Sequence, residues 1–353
     1  MKARAVALMI VCASSSYALG CGGGDDASSF APDAGELDAD AADAPVIEAP
    51  EGLDGDAIAA GDGADAIDAA EAGLSAATYL YTLRAAPFPS SGHPDVAVHV
   101  PEGFDPSGRV GAIVFFHGFD NCVANVIGAV DTACTPGSPT RSALHLVTQL
   151  EAARVNALLI AVQLRYDMAT GDPGQLGKKG QLRALLHELL TEHLDAALGR
   201  SLDVGDLERV VIASHSGGYQ AAAASISVGD VPQIREVDLY DSLYGNLAQY
   251  DAWMQGGIAR FDGSRGDALR WADAFTTGGG TATNSRAMAG RAKTWLDAAA
   301  LGASLFFDDT TATLAGPDYA HPVIFKLSGL AHVEVPRYYF GRLVASSGFA
   351  PLK

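Results

Sequence analysis

Positive charge is what this 353-residue chain has little of, with 23 Lys and Arg against 42 Asp and Glu and a net charge of −19. Between residues 22 and 75 there is no Lys or Arg at all, against 15 Asp or Glu. No basic patch is on hand to neutralise a phosphate backbone, which argues against nucleic acid as a partner. Long apolar runs are missing as well. The apolar stretch from Ala5 to Ala13 is shorter than the roughly 20 residues a bilayer-crossing helix needs. Aromatic residues are nearly absent between Gly22 and Ala76, where Ala, Asp, Gly and Glu dominate. Such a segment cannot bury enough apolar surface to offset its chain entropy, and repulsion between its carboxylates favours an extended, disordered tether. Zinc-ligand spacing is lacking too, because His187 and His193 do not share the i, i+4 helical face that two ligands need. Gly278-Gly279-Gly280-Thr281 lacks the lysine of a phosphate loop. No cofactor and no metal is implied.

The chain opens on Met1-Lys2-Ala3-Arg4, followed by the short apolar run and Ser14-Ser15-Ser16, the charged and apolar regions of a secretory signal. Residues 1–20 are therefore expected to be a signal peptide. Ala18-Leu19-Gly20-Cys21 resembles a bacterial lipobox. That resemblance implies a lipidated Cys21, and the composition places the tether over 21–76 and a folded domain over 77–353. It also implies export, with the outer membrane favoured by Gly22 and a periplasmic or cell-surface location as the other outcome.

Beyond the tether, 48% hydrophobic residues suffice for a large core. Thr78 to Arg84 and Asp95 to Val100 read as antiparallel lead-in strands. Ala112 to Phe119 and Asn156 to Val162 are apolar on both faces, as central parallel strands are. Helical runs are expected over Arg141 to Arg154, Leu182 to Leu198 and Ser285 to Ala300. Further strands are expected over Arg209 to Ala213, Glu236 to Leu239, Arg270 to Phe275, Ala303 to Phe307 and Val323 to Leu327. Strand and helix alternate, so the fold class is α/β with a mostly parallel, doubly wound sheet. The stretch 246–268 around Trp253 is a candidate cap insertion.

The strand at Arg209 to Ala213 runs into Ser214-His215-Ser216-Gly217-Gly218 and then a helix. Small residues two before and two after Ser216 suit a sharp strand-to-helix turn that lifts a serine hydroxyl clear of the sheet. This pattern resembles the nucleophile elbow of the α/β-hydrolase superfamily, over roughly Thr78 to Leu343. The resemblance implies an order of serine, acid, histidine along the chain. Downstream of Ser216 only His321 and His332 are available. His332, in the loop after Val323 to Leu327, is the expected base, because His321 precedes that strand. Asp241, at the end of its strand, is the expected acid, with Asp308 and Asp309 as alternatives and Asp273, inside a strand, a weaker one. His117-Gly118-Phe119 resembles the family's oxyanion loop and implies donors from the N–H groups of Phe119 and Gly217, with His117 shaping the loop. In an exported chain, Cys122 and Cys134 are expected to form a disulfide beside that loop. The function implied is a serine hydrolase acting on a small-molecule or polymer ester, with peptide cleavage second. The alternative is a non-catalytic binding or surface lipoprotein that keeps the fold.

Overall fold

The computed structural model of the chain describes residues 74–89, 93–165, 171–264, 266–278 and 280–353. The expectations for the signal peptide, Cys21 and the tether up to residue 73 lie outside these residues. The folded body already includes Leu74, which pairs with Phe104 through N–H···O bonds of 3.0 and 2.8 Å to the 103–104 turn.

Eleven strands occur among the described residues: β1 (Ala77–Tyr81), β2 (Val96–Val100), β3 (Val110–Phe116), β4 (Thr132–Ala133), β5 (Thr140–Arg141), β6 (Ala157–Val162), β7 (Leu207–His215), β8 (Ile234–Tyr240), β9 (Arg270–Phe275), β10 (Leu305–Asp308) and β11 (Val323–Leu327). Nine of them form one sheet in the order β1-β2-β6-β3-β7-β8-β9-β11-β10, while β4 and β5 make a small hairpin. In this sheet β2 pairs antiparallel with both β1 and β6, and every other pairing is parallel. The strands β3, β6 and β9 are buried at every position; β3 and β6 accordingly read as continuous apolar runs rather than alternating ones, while β9 buries Arg270 and Asp273 among apolar residues.

The helices are α1 (Val123–Ile127), α2 (Leu146–Ala153), α3 (Gln181–Glu188), α4 (Asp195–Leu198), α5 (Tyr219–Val228), α6 (Leu247–Gly256), α7 (Ala282–Ala298) and α8 (Glu334–Ser346). They divide between the two faces of the sheet. On one face Val114, Phe116, Ile212, Leu239, Trp271 and Phe325 meet α3, α5, α6 and α7. On the other, Ile113, Phe115, Ala213, Tyr240 and Ile324 meet α1, α2 and α8. Successive strand residues alternate between these cores, the period-2 geometry of a two-sided sheet. The fold is therefore a mostly parallel α/β sheet wound on both faces.

Several element bounds shift by a few residues, and three differences from expectation have a clear physical cause. The helix expected from Arg141 begins only at Leu146, because Thr140 and Arg141 pair with Thr132 and Ala133 in the hairpin. The helix expected over Leu182 to Leu198 is interrupted by a π turn at Leu189–His193. The stretch 246–268, expected to cap the site, instead supplies α6. Its Tyr250 and Met254, together with Phe261, are fully buried in the core beneath the sheet, and Trp253 packs at 5.9 Å from Phe261 and 6.5 Å from Trp271. The aromatic residues that suggested a lid are the apolar face of a flanking helix.

Candidate active site

The loops that leave the carboxyl ends of β3, β7, β8, β9 and β11 share one edge of the sheet, where doubly wound folds open a crevice. β7 ends at His215, and Ser216 follows with φ of 51° before α5 begins. Left-handed backbone is costly for a residue that carries a Cβ and persists only when its surroundings over-determine it. Ser242 helps to do so. Its hydroxyl donates to the Ser216 carbonyl at 2.9 Å and lies 2.9 Å from the Ser214 hydroxyl. Gly218 is needed for the same turn, since a Cβ there would stand 2.4 Å from the Phe116 carbonyl oxygen. Ser216 is left half-buried between buried neighbours.

Asp241 follows β8 directly, with φ of 46° and a fully buried carboxylate. His332 Nδ1 donates to Asp241 Oδ2 at 2.7 Å. A carboxylate accepts only, so the shared proton sits on Nδ1 and the neutral ring keeps its lone pair on Nε2. Three further donors come from the turn after β9: Thr276 N–H to Oδ1 at 3.0 Å, the Thr276 hydroxyl to Oδ2 at 2.6 Å, and the Thr281 hydroxyl to Oδ1. Burial by itself would raise this carboxyl's pKa, but the bonds from His332, Thr276 and Thr281 outweigh it and hold the group below its ordinary value.

His332 hangs from the loop after β11, 37% exposed at its side chain. Its ring lies 4.5 Å from that of His215 and edge-on to Tyr244 at 6.5 Å. Tyr244 in turn faces the Ser216 hydroxyl, and its own pKa is raised by burial first and by the Asp241 charge second. Tyr244 and His215 thus bridge the serine turn and the His332–Asp241 pair. A cavity of about 500 Å³ opens beside them, lined by Tyr244, Thr276, Thr277, Ser328, Leu330 and His332 among others.

The loop after β3 closes the other side of Ser216. A Cβ on Gly118 would stand 2.6 Å from Ser216 Cβ, so only glycine permits this approach, and the next backbone N–H is that of Phe119. Gly217 occupies the first turn of the helical segment, where N–H groups have no partner within the helix. His117 is buried and spent on backbone and amide partners. Nδ1 donates to the Gly118 carbonyl at 2.8 Å, while Nε2 accepts from Leu164 N–H at 2.9 Å and from the Gln163 amide at 2.8 Å. Burial pushes its pKa down to about 4. Beyond Phe119, Asp120 pairs with Arg141 of the hairpin, and a disulfide joins Cys122 to Cys134 with Cα atoms 5.8 Å apart.

The other acid candidates are engaged elsewhere. Asp308 pairs with the buried Lys326 ammonium, and Asp309 with Arg286 at 2.9 Å. Asp273 lies within β9, buried and paired with Leu239, two residues short of the level of Asp241. His321 precedes β11, with its ring 5.3 Å from Phe306, at the opposite edge. The sequence reading did not single out Thr276, Tyr244 or His215. A threonine directly after β9, the strand neighbouring β8, was the one signal that pointed to Thr276. Among the described residues no group of three or more His, Cys, Asp or Glu is placed to hold a metal ion.

No family model matches this chain, and no curated protein does. Solved structures with a similar backbone include a serine mutant of the feruloyl esterase module from Clostridium thermocellum complexed with sinapinate, at 11% identity and a TM-score of 0.46, with 78% of this chain and 88% of that one covered. A siderophore hydrolase from Aspergillus nidulans is similar at 10% identity and a TM-score of 0.37, covering 78% of this chain and 93% of its own. A hormone-sensitive lipase from a metagenome library is similar at 14% identity and a TM-score of 0.34, covering 71% and 79%.

Proposed function

We propose that this chain is a serine hydrolase that cleaves carboxylic esters through an acyl-enzyme on Ser216. The observation that carries the reading is the 2.7 Å bond from His332 Nδ1 to a buried Asp241, made beside a serine held at positive φ on a strand-to-helix turn. A free serine hydroxyl is a poor nucleophile and needs an oriented base. His332 Nε2 takes the Ser216 proton as Oγ attacks the ester carbonyl, and Asp241 stabilises the imidazolium that forms. The N–H groups of Gly217 and Phe119 receive the oxyanion. His332 then returns the proton to the departing alkoxide, and water, activated by the same imidazole, releases the acid from Ser216.

Export and attachment through a lipidated Cys21 complete the proposal. The Cys122–Cys134 disulfide supports it, because such bonds persist in oxidising compartments. The test is reaction of the purified protein with a fluorophosphonate probe and with short-chain aryl esters, beside Ser216→Ala and His332→Ala. Labelling and turnover by the wild type alone are expected. A folded wild type that neither labels nor turns over overturns the reading in favour of a binding protein.

A further inference from the structure

His215, the residue before the nucleophile, makes a contact that the chemistry above does not use. Its Nε2 lies 3.2 Å from the backbone carbonyl oxygen of His332, and the two imidazole rings sit 4.5 Å apart at 34°. The side chain is buried, yet Nδ1 has no partner among the described residues. A carbonyl can only accept, so the proton of a neutral His215 belongs on Nε2, and the bare acceptor Nδ1 is left in the interior. An apolar residue would fill this position without leaving a buried acceptor unmet.

We propose that His215 is a positioning residue for His332: its Nε2–H tethers the His332 backbone while its ring forms a wall against the His332 imidazole. The proposal rests on the triad reading. Asp241 holds the His332 ring at Nδ1 only, and a ring held at one atom can still swing about that bond. The loop that carries it contains exposed Gly329 and Ala331 and offers little restraint. A second hold, on the backbone and the ring face of the same residue, fixes the direction in which Nε2 points. Because His215 and Ser216 are consecutive, the serine turn and its base move as one body. Burial lowers the His215 pKa most and the charges of His332 and His117 lower it further, while the His332 carbonyl and the Asp241 charge raise it, and the balance holds it down to about 3. The wall therefore stays uncharged when His332 becomes an imidazolium.

The experiment uses the full chain labelled with ¹⁵N-histidine. In the wild type, the ring correlations of His215 are expected to report the Nε2–H tautomer, and a wild type that carries the proton on Nδ1 overturns the proposal without any variant. His215→Phe keeps a flat ring and removes the donor. It is expected to broaden or abolish the His332 Nδ1–H resonance and to lower kcat roughly tenfold, a part of the about 10²–10⁴-fold that general-base catalysis contributes, while KM stays within about twofold. His215→Gln restores a donor at similar reach and is expected to recover most of kcat. A His332 resonance unchanged in His215→Phe overturns the proposal, as does equal impairment of the Phe and Gln variants. A wild type with no ester turnover defeats the hydrolase reading instead, and the resonances still decide the role of His215.

Discussion

At the scale of single residues, Asp241 is a buried carboxylate kept charged by the company it keeps. Its partners arrive from distant parts of the chain: Thr276 is 35 residues away, Thr281 is 40 and His332 is 91. Asp241→Asn preserves shape but offers His332 the wrong hydrogen-bonding pattern, and kcat on an ester is expected to fall by about 10³–10⁴-fold with KM little changed. Thr276→Val and Thr281→Val act on the same carboxylate more gently. A folded-state pKa below the ordinary 3.8 makes Asp241 a source of stability that is fully present above that pH and is lost as pH falls through the folded value. Removing a threonine donor raises the folded value toward 3.8. Acid unfolding of either variant, followed by circular dichroism, is therefore expected to begin at higher pH than in the wild type. Ser216, Asp241 and His332 were legible because each ends a strand or its following loop, and strand ends can be read from apolar runs. Tyr244 and Thr281 were not, since their importance lies in what they face rather than in where they stand along the chain.

At the scale of elements, the loop from His117 to Arg141 is the part most dependent on bracing. Gly118 touches Ser216, His117 ties the loop to the end of β6, and the disulfide closes the segment beyond. Replacing Cys122 and Cys134 together by serine frees a loop whose closure contributes about 3 kcal/mol by chain entropy. A matching loss in denaturant unfolding is expected, together with reduced kcat, because the Phe119 N–H sits three residues before Cys122. Gly118→Ala tests the approach itself. The added methyl has nowhere to go against Ser216 Cβ, so the loop must back away, and kcat is expected to fall about 10²-fold in a folded protein as the donor moves off. The central strands β3 and β6 were readable from two-faced apolar runs, and β9 and β11, each with charged residues inside, still match the expected bounds residue for residue. α6 was misread as a cap. Its aromatic content looks the same in sequence whether it covers a pocket or a sheet, and only the neighbouring α5 and α7 decide which.

At the scale of the whole molecule, charge buried inside the sheet sets how stability responds to pH. Glu236, fully buried, accepts from Arg270 at 2.6 Å, and Arg270 reaches on to the Leu343 and Tyr319 carbonyls, joining β8 and β9 to α8. Asp273 lies in the opposite core, and burial pushes its pKa up to about 8 although the Ser285 hydroxyl beside it lowers it. A carboxyl with a raised folded value costs nothing while it is protonated in both states. The cost grows as pH rises from the unfolded value near 3.8 toward the folded value and levels off above it. Asp273→Asn, which cannot ionise, is expected to raise the thermal midpoint more at pH 8 than at pH 5, and an equal gain at both would show that Asp273 is ionised in the native state. Taken by itself, the sequence determined the alternation of strands and helices and the small residues around Ser216, because periodicity and backbone sterics are local. Only the tertiary structure decided which carboxylate meets His332. Asp241, Asp308 and Asp309 all follow strands, but β8 lies two strands from β11 with the β9 threonines between, while Lys326 and Arg286 neutralise the other two. That choice depends on strand order and on where cations fall across the sheet, and both are set by packing rather than by neighbours in the chain.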